Sequence, residues 1–233
     1  VVAKYLENHM PIPDYQGSTF VAFVDISGFK EMMKNEELAV KALDHFYSKG
    51  FEVLQKNTSI HGAFISDCAI LYVNTHDSPA MQLPPLLEVV EELNRNVLEH
   101  NIMLATSIAH GRFSYRQRVE FEGIEKNLIF GNAYLAAFLD TETSRPKIHP
   151  GECRIVKHNI DPSNLAGIPR IEDRDGHYYF FWMLNDAHQI DMFKSRYNDA
   201  YQQKYRGMLE ALKDAANNRL NLSETRDGSS SEP

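Results

Sequence analysis

Residues 20–29, FVAFVDISGF, constrain the fold more than any other stretch of the chain. A β-branched and aromatic run beginning at Thr19 ends in Asp25, and Ser27-Gly28 then turns into an apolar-periodic segment. This is the pattern of a buried strand that delivers a carboxylate to one sheet edge and passes into a helix. At such a junction the amides of Ser27, Gly28 and Phe29 are presented to a ligand, and a helix amino terminus favours phosphate oxygens. Gly28 lets the backbone approach closely. The plain alternative is that Asp25 caps the helix and Gly28 only makes the turn.

Further along, the periodicity predicts a helix over 29–56, then strands over 60–65 and 69–73 joined through Ser66, Asp67 and Cys68. Pro79, Pro84 and Pro85 punctuate the approach to a second helix over 86–100. A strand over 102–108, a polar turn over 112–118, a short strand over 119–121 and a helix over 132–142 come next. Residues 152–157 and 178–184 read as the last strands, and 191–220 as an amphipathic helix with Met192, Phe193, Tyr197 and Leu212 on one face. The expected organisation is an irregular arm (1–18), one α/β domain of the α+β sandwich type (19–190), a carboxyl-terminal helix (191–221) and a Ser-rich disordered tail (222–233).

Composition narrows the function. In 233 residues, 32 Asp and Glu against 24 Lys and Arg give a net charge of −8, which argues against coating nucleic acid or an anionic membrane. A small polyanion is still compatible, because a metal ion can supply positive charge. Cys68 and Cys153 stand far apart, so the expectation is a reduced, cytoplasmic protein. The apolar runs are too short for a membrane span, and no signal-peptide pattern opens the chain. The ten His residues form no HExxH pair and GxSxG is absent, which leaves zinc hydrolysis and a serine triad without support.

The informative combination is Asp25 with Asp67. A turn Asp commonly bonds its own backbone. Here, however, a strand ending in Asp is followed by a hairpin whose tip is Asp, which sets two carboxylates on neighbouring strands. Two such carboxylates repel each other unless a cation lies between them. Oxygen ligands of this kind, together with substrate phosphates, suit Mg²⁺ or Mn²⁺.

These segments resemble a family. FVAFVDISGF is similar to the metal-binding segment of class III adenylyl and guanylyl cyclases, and AFISDCAILYV (63–73) to their second metal segment. Residues 129–133, IFGNA, with the following YLAAFLDTE, resemble the family's aromatic-Gly turn and Ala-rich helix. The resemblance implies a central, mostly antiparallel sheet flanked by helices, and a homodimer whose active sites form between two chains. It implies two metals on Asp25 and Asp67 with the Ile26 carbonyl assisting, and a triphosphate on the amides of Ser27, Gly28 and Phe29. The 3′-hydroxyl of a nucleoside triphosphate then attacks its own α-phosphorus and releases pyrophosphate.

The departures are as informative. Positions where purine cyclases of the family carry base-selecting polar groups hold Ala63 and Leu128, and those of an Asn and a transition-state Arg hold Leu135 and Leu139. Either the site is inactive, or its base pocket is rebuilt. Intact metal ligands with a rebuilt pocket resemble the bacterial Pycsar pyrimidine cyclases, which implies cyclic UMP or cyclic CMP as an antiphage signal. On that reading Phe64 stacks on the base and Arg112 heads the candidates for the lost Arg, followed by Arg116, Arg118, Arg170 and Arg174. UTP and CTP are not distinguished. DISGFKEMMKN is also similar to the start of diguanylate cyclases, but their Gly-Gly hairpin is absent.

Overall fold

The computed structural model describes residues 12–121, 124–201 and 204–227; most of the expected arm, residues 1–11, lies outside them. The elements run β1 (Tyr15–Ile26), α1 (Phe29–Met32), α2 (Glu36–Lys56), β2 (Ile60–Ile65), β3 (Cys68–Val73), α3 (Pro79–Leu98), β4 (Leu104–Phe121) and β5 (Ile124–Phe130). Then follow α4 (Asn132–Thr143), β6 (Cys153–Val156), β7 (Ile171–Arg174), β8 (His177–Phe180), α5 (Ile190–Tyr201) and α6 (Lys204–Asp227). One sheet takes the order β2-β3-β1-β4-β6-β8-β7, with β5 paired to β4. Every pairing is antiparallel except β4 with β6.

Alternation along β1 builds two apolar layers. Phe20, Ala22, Val24 and Ile26 face α2, α3 and the carboxyl-terminal helices, in a core with Phe46, Leu86, Leu93 and Leu212. Val21 and Phe23 point the other way, to Ala133 and Ala137 of α4. The expected α/β architecture, a mostly antiparallel sheet flanked by helices, is therefore present. No helix among the described residues is long and apolar enough to cross a membrane.

Several boundaries differ from expectation. The helix over 29–56 is two helices: Asn35 is extended, and its side chain accepts from the Leu38 amide at 3.2 Å, which starts α2 afresh. α3 starts at Pro79 and carries Pro84 and Pro85 inside it, because burial of Leu83, Leu86 and Leu87 outweighs the lost amide bonds. Residues 112–118 are not a turn. They continue β4, paired with β1 as far as Tyr115 and with β5 from Ser114. Phe113 and Tyr115 are buried while Arg112 is exposed, and that one polar face gave the segment its turn-like composition.

β1 begins at Tyr15, inside the expected arm, because β4 is long enough to pair with it there. β5 and β7 were not expected, and residues 181–184 are buried without being a strand. The carboxyl-terminal helix is divided into α5 and α6, and α6 runs to Asp227, past the expected start of the tail. Residues 228–233 lie outside the described residues. Phe193, Tyr197 and Leu212 pack on the domain itself, but Met192 is 70% exposed.

Candidate active site

The β-register places the two carboxylates. Asp25 pairs with Cys68 of β3 on one side and Ala105 of β4 on the other. The next amide, that of Ile26, donates to the Asp67 carbonyl at 2.9 Å, so the hairpin tip is tied to the end of β1. Ser66 turns the chain with φ +53°, and its carbonyl accepts the Tyr47 hydroxyl of α2 at 2.8 Å. Asp67 is thus held by backbone on one side and by α2 on the other.

Burial raises the Asp25 carboxyl to a pKa of about 7, and the charges of Asp67 and then Glu142 add to the effect. Burial, reinforced by Asp67, Asp25 and Glu142, lifts the Cys68 thiol to about 11, so it stays protonated near neutral pH. Glu142, on the last turn of α4, is a third acid in the cluster and was missed in the sequence. Nothing in TETS marks it, and only the docking of α4 brings it to Asp25.

That docking rests on Asp140. It accepts from Ser107 Oγ, Arg154 Nε and His177 Nε2, each at 2.7 Å, and Arg154 is fully buried. Burial alone pushes the Asp140 carboxyl upward, but the bonds from His177, Arg154 and Ser107 win and hold it at about 2.

A pocket of about 240 Å³ opens beside Asp25, lined by Ser27, Gly28, Ala105, Thr141, Glu142, Lys147, Ile148 and Pro150. Asp67 is outside this lining but within electrostatic reach of Asp25. The Ser27 amide donates to the Met103 carbonyl at 2.9 Å, whereas those of Gly28 and Phe29 have no partner among the described residues. Gly28 has φ +79°, and the Tyr205 ring of α6 lies against it. α1 has four residues, so these N–H groups act without a long helix dipole behind them.

Two expected site residues are not brought to Asp25 within one chain. Phe64 lies on the opposite sheet face, edge-on to Phe46 at 5.0 Å and to Tyr47 at 5.9 Å. Strand alternation puts its neighbour Ala63, not Phe64, on the Asp25 face. Arg112 pairs with Ser18, roughly 24 Å along the sheet from the Asp25–Ala105 pair at strand spacing.

The other candidate cations are engaged elsewhere. Arg116 donates to Gln16 at 3.0 Å. Arg170 bonds Glu91 at 2.8 Å and the Leu184 carbonyl at 2.7 Å, and Arg174 lies over the Tyr179 ring at 3.9 Å. The side chain of Arg118 lies outside the described residues. Leu135 and Leu139 are exposed and do not line the pocket.

Among the described residues no three acidic, His or Cys side chains converge as a ready-made metal site. The donor set nevertheless fits a hard divalent cation. Two carboxylates with a protonated thiol beside them offer oxygen but no thiolate, and the open pocket leaves room for phosphate oxygens to complete coordination.

No family model matches the chain, and no curated protein matches it in sequence. Solved structures are similar in fold. The adenylyl cyclase CyaB from P. aeruginosa superposes with a TM-score of 0.52 at 14% identity, over 72% of this chain and 95% of that one. A rhodopsin-guanylyl cyclase catalytic core with converted specificity, in complex with ATPαS, gives 0.55 at 12% identity, over 72% and 95%. A guanylyl cyclase domain of a fusion protein from the aquatic fungus Blastocladiella emersonii, described as a non-canonical dimer, gives 0.52 at 13%, over 73% and 98%. The chain has the fold of class III adenylyl and guanylyl cyclase catalytic domains.

Proposed function

We propose that this chain is a nucleotidyl cyclase that converts a pyrimidine nucleoside triphosphate, UTP or CTP, to its 3′,5′-cyclic nucleotide and pyrophosphate. The observation that carries the reading is the backbone bond from Ile26 to Asp67, which ties the hairpin tip to the end of β1, where Asp25 lines a pocket in a cyclase fold. Asp25, Asp67 and the Ile26 carbonyl are the groups that would hold two Mg²⁺ or Mn²⁺ ions. Bound there, such ions acidify the 3′-hydroxyl and neutralise charge on the phosphates. Ser27 lines the pocket, and the amides of Gly28 and Phe29 donate to phosphate oxygens.

The pyrimidine preference is supported by Ala63 and Leu128, apolar where the resemblance expects base-selecting polar groups. The role proposed for the product, a second messenger of antiphage defence, rests on the resemblance of the intact acid pair and altered base positions to Pycsar cyclases. The working unit is a homodimer with composite sites. Exposed Phe130, Leu135 and Leu139 offer apolar surface for a second copy.

A second reading is a nucleotide-sensing domain without turnover, favoured by the outward-facing Leu135 and Leu139 where polar catalytic groups are expected. The test is incubation with ATP, GTP, CTP and UTP separately with Mn²⁺, products being identified by mass spectrometry, with Asp25→Ala and Asp67→Ala alongside. A cyclic pyrimidine nucleotide lost in both variants supports the cyclase. A purine product overturns the substrate class. Nucleotide binding with no cyclic product, in folded protein, leaves the sensing domain.

A further inference from the structure

Lys147 is the one basic side chain lining the pocket beside Asp25 among the described residues, and sequence reasoning did not single it out. An exposed lysine is ordinarily just solvated. This one stands on a loop fastened at nearly every residue. The Pro146 carbonyl accepts Arg154 Nη1 at 2.8 Å, and Ile148 is buried. The Pro150 carbonyl accepts the Tyr197 hydroxyl of α5. The Gly151 carbonyl accepts Trp182 Nε1 at 2.8 Å, and the Gly151 amide donates to Leu104 at 2.7 Å. Leu212 of α6 packs so closely on Gly151 that a Cβ there would meet it at 2.4 Å.

Two further observations point the same way. Lys147 takes part in no ion pair among the described residues, although Asp25 and Glu142 line the same pocket. Three arginines of the sheet and its flank are committed elsewhere: Arg154 to Asp140, Arg170 to Glu91, and Arg174 to Tyr179 and Glu152. Two divalent cations little more than neutralise Asp25, Asp67 and Glu142. A triphosphate in the same pocket therefore needs another positive charge.

We propose that Lys147 binds the substrate's polyphosphate from within the same chain, donating from Nζ to non-bridging phosphate oxygens, and that α5 and α6 serve to hold its loop in place. The assignment rests on the nucleoside triphosphate reading, but it concerns phosphate binding and not turnover.

The test measures binding of inorganic tripolyphosphate, with Mn²⁺ present, by calorimetry on the full chain and on Lys147→Ala, Lys147→Arg and Lys41→Ala, Lys41 being an exposed lysine of α2 paired with Glu37. A charge-assisted bond of this kind predicts about 10-fold or more weaker binding in Lys147→Ala. Lys147→Arg recovers most of it, and Lys41→Ala binds as wild type. If Lys147→Ala binds tripolyphosphate like wild type, or wild type does not bind it, the proposal is overturned. Lys147-dependent binding without any cyclic product upholds Lys147 and sinks the cyclase. Cyclic product formed by Lys147→Ala with unchanged KM and kcat upholds the cyclase and sinks Lys147.

Discussion

The Ile26 amide and the Asp67 carbonyl, 2.9 Å apart, join the end of β1 to the tip of the β2–β3 hairpin. That one backbone bond brings together two acids distant in sequence. Burial, reinforced by the charge of Asp67, raises the Asp25 carboxyl to about 7.

Asp25→Asn is expected to stabilise the metal-free protein at pH 8 and to lose most of this advantage by pH 5. The Asp25 pKa is raised from 3.8 to about 7 in the fold, so the native state binds more protons than the unfolded chain between those values. Wild-type stability contributed by this group therefore falls as pH rises through the window. Thermal melts in chelator across pH 5–8 check it, with a gain of a few degrees expected at the alkaline end. Equal gains at both ends would contradict the burial argument.

Divalent cation binding at the pair is expected to strengthen as pH rises towards 7, because the ion competes with the Asp25 proton. Mn²⁺ titration at pH 5.5 and 7.5 reads this directly. Asp67→Asn removes the neighbouring charge, so it should lower the Asp25 pKa while weakening the site.

Asp140→Asn is expected to cost about 3–5 kcal/mol, since it leaves the fully buried Arg154 without its counter-charge. Denaturant unfolding at pH 7 measures it. The depressed Asp140 pKa means this contribution is present above 3.8 and is lost as pH falls through about 2. A cost under 1 kcal/mol would show that the network is not what docks α4.

Gly131→Ala should destabilise by about 2–4 kcal/mol. Gly131 has φ +137°, and a Cβ would lie 2.2 Å from the Arg112 carbonyl, a backbone atom that cannot swing away. Chemical denaturation is again the readout, and a neutral result would mean that α4 can re-dock.

Leu212→Ala is expected to cost about 2–5 kcal/mol, because Leu212 is fully buried against Gly151 and the main core. The loss should be cooperative with the whole domain. A separate early transition for the carboxyl-terminal helices would show instead that α5 and α6 fold apart from the sheet.

Much of this was legible in the sequence because it is local. The run from Thr19 into Asp25, the turn at Gly28 and the hairpin around Asp67 each follow from alternation and turn chemistry, and the structure places them as β1, the αL turn and the β2–β3 tip. The order of elements carried the fold class as well.

Tertiary structure decided what depends on which face a residue takes and what lies across from it. Phe64 and Ala63 are neighbours, yet pleating sends only Ala63 to the Asp25 side. Arg112 read as a loop cation, but it continues β4, where pairing with Ser18 of β1 sets it far along the sheet from Asp25 of the same chain. Glu142 and Lys147 looked like ordinary polar residues near a helix end. The Asp140–Arg154 pair docks that helix end, and contacts from Tyr197, Trp182 and Leu212 fasten the loop, so that both residues line the Asp25 pocket. Sequence spacing encodes strand and turn, but long-range pairing sets which charges meet, because it is a property of the assembled sheet and its covering helices.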